Sequence, residues 1–194
     1  MPADAILSRI RNLRTVFLDR DGVLNRKMQE GSWVTTPAEL SILPGVPEAV
    51  ARLNLAGLLV LVVTNQRAIA QGKLSPAGLE RIHAALQESL RGSGAHIDAF
   101  FHCPHDRNEC ACRKPLTGMF EQARLRFPAI TAETSAMLGD SLSDMQFGKT
   151  AGMLTILLET NPEMPEDVAR KAAQPADLRF PALGDAAEFL LAGR

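Results

Sequence analysis

Apolar residues along this chain gather in short runs near 14–18, 58–63, 97–101, 135–138 and 153–158, with a further one near 177–179. Consecutive apolar positions, rather than alternating ones, mark strands buried on both faces. Longer segments with helical spacing lie between them, near 46–56, 75–91, 117–127, 141–150, 164–172 and 182–191. Ser75 before Pro76 makes a fitting N-cap and first helical residue for one of these. Strand and helix in alternation predict an α/β fold of three layers, a Rossmann-like parallel sheet covered on both faces. In such a sheet the functional edge is the one where the strands end at their carboxyl termini.

What stands at those ends carries chemistry. The first run closes in TVFLDRDGVLN, which places Asp19 and Asp21 two positions apart and so on one side of an extended segment. One carboxylate can attack while the other handles a proton, provided cations offset the repulsion of an anionic phosphate. The second run ends at Thr64, whose hydroxyl and backbone N–H can hold a phosphate oxygen, followed by Asn65 and Gln66. Lys114, in CRKP, is a compact cation before Pro115, whose ring suits the entry to a helix near Thr117. The fourth run closes in GDSLSD, where Asp140 and Asp144 stand at i and i+4 on the first turn of a helix, hard ligands suited to Mg²⁺.

All three cysteines fall within ten residues, as Cys103, Cys110 and Cys112, with His105 among them. An odd count packed this tightly does not fit disulfides, whereas three thiolates and an imidazole fit a closed, structural Zn²⁺ site. Such a metal would order the loop and fix the presentation of Arg113 and Lys114, which follow Cys112 directly. His102 reads as a surface neighbour.

The chain of 194 residues, 46% hydrophobic, is long enough for one well-buried domain, taken as 1–194. A formal net charge of −1, one Trp and no Tyr leave neither a basic groove nor stacking aromatics. This argues against a nucleic-acid 3′-phosphatase and against a membrane surface as partner. A non-catalytic zinc-dependent interaction module would need no Asp19–Asp21 pair. No apolar stretch matches a membrane span and MPADAILSRIRNLR has no signal-peptide core, so a cytoplasmic protein is expected, and it is taken as a monomer. The Pro-rich, charged stretch at 162–177 reads as a surface excursion with a short helix.

The four segments, DRDGVLN at 19–25, Thr64 in TNQ, Lys114 in CRKP and GDSLSD at 139–144, resemble the four motifs of the haloacid dehalogenase superfamily. With the IAQG that follows TNQ, the cysteine cluster, and Gly118 and Met119 after RKP, they are similar to its small bacterial branch of heptose bisphosphate and histidinol phosphatases. The likeness covers about residues 13–160; Arg67, Ala68, Thr117 and Ser141 depart from the pattern. It implies Asp19 as nucleophile, forming an aspartyl-phosphate, and Asp21 as acid and base. Asp19, Asp140 and the main-chain carbonyl of Asp21 would hold Mg²⁺, with Asp144 in support. The implied substrate is a small sugar phosphate, a heptose 1,7-bisphosphate of lipopolysaccharide or surface-glycan precursors, with histidinol phosphate as the alternative. Only 44 residues separate Asp19 from Thr64, too few for a cap domain. Loops would then grip the substrate: RKMQEGSWVTTPAE with Trp33 as packing anchor or substrate wall, RAIAQG, and the cysteine loop. Arg113, Arg67 and Gln66 are the candidates for sugar hydroxyls or a second phosphate.

Overall fold

The structure, a computed structural model, describes residues 2–29, 31–160 and 165–194. Six strands, β1 (Thr15–Leu18), β2 (Leu59–Asn65), β3 (Ala99–Cys103), β4 (Ser135–Gly139), β5 (Leu154–Leu158) and β6 (Leu178–Phe180), form one parallel sheet in the order β3-β2-β1-β4-β5-β6. Each corresponds to one predicted run. The run near 97–101 yields a strand shifted by two residues, because Asp98 is used to close the loop: its carboxylate accepts from Val60 N at 2.7 Å and its own N–H donates to Val60 O at 2.8 Å.

Around the sheet lie α1 (Ala3–Arg11), α2 (Val46–Leu55), α3 (Pro76–Arg91), α4 (Gly118–Arg126), α5 (Leu142–Ala151), α6 (Glu166–Ala173) and α7 (Leu183–Ala192). Ser75 caps α3 as expected, accepting from Gly78 N at 3.0 Å. Helix α1 was not anticipated. It has no side-chain N-cap and only a sparse stripe, of which Ile10 is buried, and Arg9 fastens it by donating to Ala132 O and Gly152 O at 2.8 and 2.7 Å. The predicted start of α6 at 164, and residues 162 and 163 of the Pro-rich stretch, lie outside the described residues.

Strand periodicity sorts the core into two faces. Val16, Leu18, Val60, Val62, Ala136 and Leu138 point to one, where they meet Ile10 of α1, Val50 and Leu53 of α2, Leu86 of α3 and Leu190 of α7. Phe17, Leu61, Val63 and Met137 point to the other, against Met119 and Phe120 of α4 and Phe147 of α5. These are the three layers of a doubly covered sheet. The chain lays down β1, β2 and β3 in one direction, then returns to place β4 on the other side of β1. That reversal opens a crevice beyond the carboxyl ends of β1 and β4, the standard place for a ligand in such sheets. Among the described residues, the stretch from β1 to α2 contains only a turn, isolated bridges and one 3-10 turn (Pro37–Glu39), so no cap domain is inserted there.

Candidate active site

The crevice is built from a tight turn. Val23, Leu24 and Asn25 all direct their N–H groups at Arg20 O, and Gly22 N donates to Asn25 O at 2.8 Å, which wraps residues 20–25 around the end of β1. Gly22 holds φ at 98°, and a Cβ there would strike Asp140 Oδ2, so this position needs glycine both for backbone and for space. The turn turns Asp19 and Asp21 to different partners. Asp19 Oδ1 faces Lys114 Nζ at 2.9 Å. Asp21 is gripped by Arg20, whose Nη2 lies 2.8 Å from both carboxylate oxygens, by Asn25 Nδ2 at 2.9 Å and by Gln66 Nε2 at 3.1 Å.

Lys114 is fully buried and saturated. Its ammonium donates to the carbonyl of Val63 at 2.7 Å and is ion-paired with Asp19 Oδ1 and, at 2.6 Å, with Asp144 Oδ1. Asp144 sits in the first turn of α5, where its Oδ2 also accepts from Ser141 N and Oγ at 3.1 and 2.6 Å. The two acids of GDSLSD do not share that turn as expected: Asp140 precedes α5, in the link from β4. The carboxylates of Asp19, Asp140 and Asp144 still converge, with ligand atoms within 4.8 Å of one another.

Burial pushes the Asp19 carboxyl up to about 7, with Lys114 opposing and Asp144, Asp140 and Asp21 adding to the rise. Asp140 is raised for the same first reason, against the pull of Lys27. For Asp21 burial also pushes upward, but Arg20 and the bonds from Asn25, Arg20 and Gln66 outweigh it and hold the carboxyl below its usual range. Three buried carboxyls drawn together, two of them, Asp19 and Asp140, resisting ionisation, and Asp140 Oδ1 buried with no hydrogen-bond partner among the described residues, are what a hard divalent cation would relieve. The Asp21 carboxylate lies outside that group.

Thr64 is buried at the end of β2, and its Oγ1 accepts from Gln66 Nε2 at 2.8 Å. Gln66 is buried as well, its amide spent on Thr64 and Asp21, so it shapes the acid rather than facing the crevice. Asn65 forms a two-point pair with the main chain of Lys114, Nδ2 to O at 3.1 Å and N to Oδ1 at 3.0 Å. Arg67 is engaged by Asp106, with Nε to Oδ1 at 2.6 Å, tying the loop after β2 to the cysteine loop.

In that loop Cys103 and Cys110 sulfurs are 3.4 Å apart, Cys112 and Cys110 3.4 Å, Cys112 Sγ and His105 Nδ1 3.4 Å, and Cys103 Sγ and His105 Nδ1 3.7 Å. A tetrahedral ion with metal–sulfur bonds of about 2.3 Å and metal–nitrogen bonds of about 2.0 Å sets ligand edges of roughly 3.5–3.8 Å. The four atoms thus already form a cage of metal-binding size. Gly118 seals it from behind, since a Cβ there would lie 2.6 Å from Ala111 O and 2.8 Å from Cys112 Cα.

An open cleft of about 360 Å³ joins these parts, lined by Asp19, Asp21, Thr64, Asn65, Lys114 and Asp144 on the sheet side and by Lys27, Trp33, Arg107 and Arg113 on the loop side. Trp33 packs against the cluster of Val34, Ala68 and Leu79 and also lines the cleft. Arg113 and Arg107 extend into an adjoining cleft of about 510 Å³. Arg20, Lys27 and Arg107 were not singled out from sequence. Arg20 sits between two acids in DRD, a legible hint of pairing, whereas Lys27 reaches Asp140 only through the fold of the turn.

Comparison with known proteins places these features in a family. The HAD-hydrolase-like family profile matches residues 111–186. A D-glycero-beta-D-manno-heptose-1,7-bisphosphate 7-phosphatase of Bordetella bronchiseptica is 39% identical over 149 residues, covering 76% of this chain and 82% of the relative. The corresponding alpha-heptose 7-phosphatase of Mycobacterium bovis is 39% identical over 132 residues, covering 68% and 69%. Among solved structures, a D,D-heptose 1,7-bisphosphate phosphatase from B. bronchiseptica, complexed with magnesium and phosphate, superposes with a TM-score of 0.83 at 34% identity, covering 94% of this chain and 100% of that one. With the sheet order, the crevice and the extent of these matches all in agreement, the chain belongs to the haloacid dehalogenase-like hydrolases.

Proposed function

We propose that this chain is a magnesium-dependent phosphomonoesterase that removes the 7-phosphate of a heptose 1,7-bisphosphate destined for lipopolysaccharide or other surface glycans. The observation that carries the reading is the seat of Asp19 at the sheet's switch point, its carboxylate shared between the buried Lys114 and the group of Asp140 and Asp144. The names of the relatives supply the substrate class. Residues 1–194 act as one domain, a reading supported by α1 and α7 packing on the same core as the central strands.

In this reading Asp19 attacks phosphorus and forms an aspartyl-phosphate while the ester bond to the sugar oxygen breaks. Asp21 delivers a proton to that oxygen. Its carboxyl is ionised at rest beside Arg20, so it first takes up a proton from solvent, as the incoming phosphate charge raises its hold on one, and that proton passes to the leaving oxygen. Asp21 then takes a proton from the water that cleaves the aspartyl-phosphate, releasing inorganic phosphate and restoring Asp19. Mg²⁺, held by Asp19, Asp140 and the Asp21 carbonyl, would neutralise the phosphate oxygens. Lys114 contributes a fixed positive charge, and Thr64 receives a phosphate oxygen. Cys103, His105, Cys110 and Cys112 hold a structural Zn²⁺ that keeps Arg113 facing the cleft, where its guanidinium meets the remote phosphate.

Phosphate release measured with both anomers of heptose 1,7-bisphosphate, fructose 1,6-bisphosphate and histidinol phosphate, each with and without Mg²⁺, tests the reading. A heptose bisphosphate should be hydrolysed fastest and only with Mg²⁺. Preferred release from histidinol phosphate would overturn the substrate, and no release from any ester would overturn the activity.

A further inference from the structure

The loop that follows the turn sends one cation into the carboxylate group. Lys27 Nζ lies 2.7 Å from Asp140 Oδ2, an oxygen that is buried, while the lysine side chain itself is 45% exposed. The other oxygen, Asp140 Oδ1, is buried with no hydrogen-bond partner among the described residues. Lys114 cannot serve Asp140 in the same way, because its ammonium is already committed to Asp19, Asp144 and the Val63 carbonyl. One ammonium thus belongs permanently to the site, and a second, on an exposed stem in a loop, occupies an oxygen that a divalent cation would require.

We propose that Lys27 is the resident counter-ion of the metal site and competes with the divalent cation, so that metal loading requires the lysine to leave Asp140 for solvent. The inference rests on reading Asp19 and Asp140 as ligands of that ion. Its physical basis is that an ammonium and a hard cation seek the same carboxylate oxygen, and both charges cannot stay beside it without repulsion. The exposed stem makes departure feasible: the lysine exchanges one charge-assisted bond for hydration and loses no packing in the core. Lys27 therefore sets how much free cation the enzyme needs, and keeps the acidic group compensated when the ion is absent.

Calorimetric titration of MgCl₂ into wild type, Lys27→Met, Lys27→Arg and Asp140→Asn, each freed of Mg²⁺ by dialysis with its zinc content verified, tests this. Lys27→Met should bind Mg²⁺ about 10- to 100-fold more tightly, the range for releasing one charge-assisted hydrogen bond. Lys27→Arg should stay near wild type, and Asp140→Asn should bind weakly or not at all. Melting of the metal-free proteins gives a second readout: Lys27→Met should melt below wild type without Mg²⁺ and gain more on its addition. Equal Mg²⁺ affinity in wild type and Lys27→Met overturns the competition while leaving the metal reading intact. Absence of Mg²⁺ binding in every variant overturns both.

Discussion

His83 offers a test of the fold that is independent of turnover. It lies on α3 at 5% exposure, its ring stacked on Phe100 with centroids 4.3 Å apart, and its Nε2 is buried with no hydrogen-bond partner among the described residues. Burial, then the Arg20 guanidinium, then His102 push its pKa down to about 3, against an opposing pull from Asp21. The folded value lies below the unfolded one of about 6.5, so between the two the unfolded chain carries a proton the folded chain refuses. Stability from His83 is therefore complete above about 6.5 and declines as pH falls towards 3. From pH 7 to 5.5 the loss is about 1.3 kcal/mol, which lowers the melting temperature of a chain this long by roughly 3–5 °C. Asp19 has the opposite sign, since its raised carboxyl loses stability as pH rises through about 7, so the metal-free protein would mask the effect. Excess Mg²⁺ should keep Asp19 ionised and remove that mask. Thermal melts at pH 7 and 5.5 in excess Mg²⁺ should show a smaller acid-induced drop for His83→Phe than for wild type, with the His102 contribution common to both. Equal drops would show that His83 is not held neutral by its surroundings.

Asp19→Asn should keep the melting temperature of a folded protein yet lose at least about a thousandfold in kcat, because an amide of the same shape is a poor nucleophile; hydrolysis near the wild-type rate would remove Asp19 from that role. Elemental analysis of protein prepared without chelator should find one zinc per chain, and stripping it should cost activity that Mg²⁺ alone does not restore. Gly118→Ala should push on the backbone of Ala111 and Cys112 and destabilise by about 1–3 kcal/mol, with zinc lost to a chelator faster than from wild type. Arg113→Ala should lower kcat/KM for a heptose bisphosphate about 10- to 100-fold and for a small monophosphate much less; equal losses would assign Arg113 to the transferring phosphate or to the loop.

The strands were legible because β1, β2, β4 and β5 are buried on both faces and leave uninterrupted apolar runs, whereas α1 contributes little beyond Ile10 to the core and leaves almost no periodic trace. Asp19, Thr64 and Asp140 were legible for a related reason: each stands where a run stops. Partnerships were not. Gln66 follows Thr64 in sequence and looked like a substrate contact, but its burial turns it towards Asp21. Arg67 looked equally available, yet pairs with Asp106, 39 residues away, a contact with no periodic signature. Lys27 belongs to the same class, since its reach to Asp140 depends on the close packing of the turn at Gly22 against that acid.

The two-point pair between Asn65 and the main chain of Lys114 makes one side-chain amide act as a seam between two segments far apart in sequence. Its nitrogen gives and its oxygen takes, and both functions are in use. An Asn65→Asp substitution would replace the giving half with a second acceptor aimed at the Lys114 carbonyl. The exchange of one nitrogen for an oxygen at residue 65 would then part the seam beside the buried ammonium.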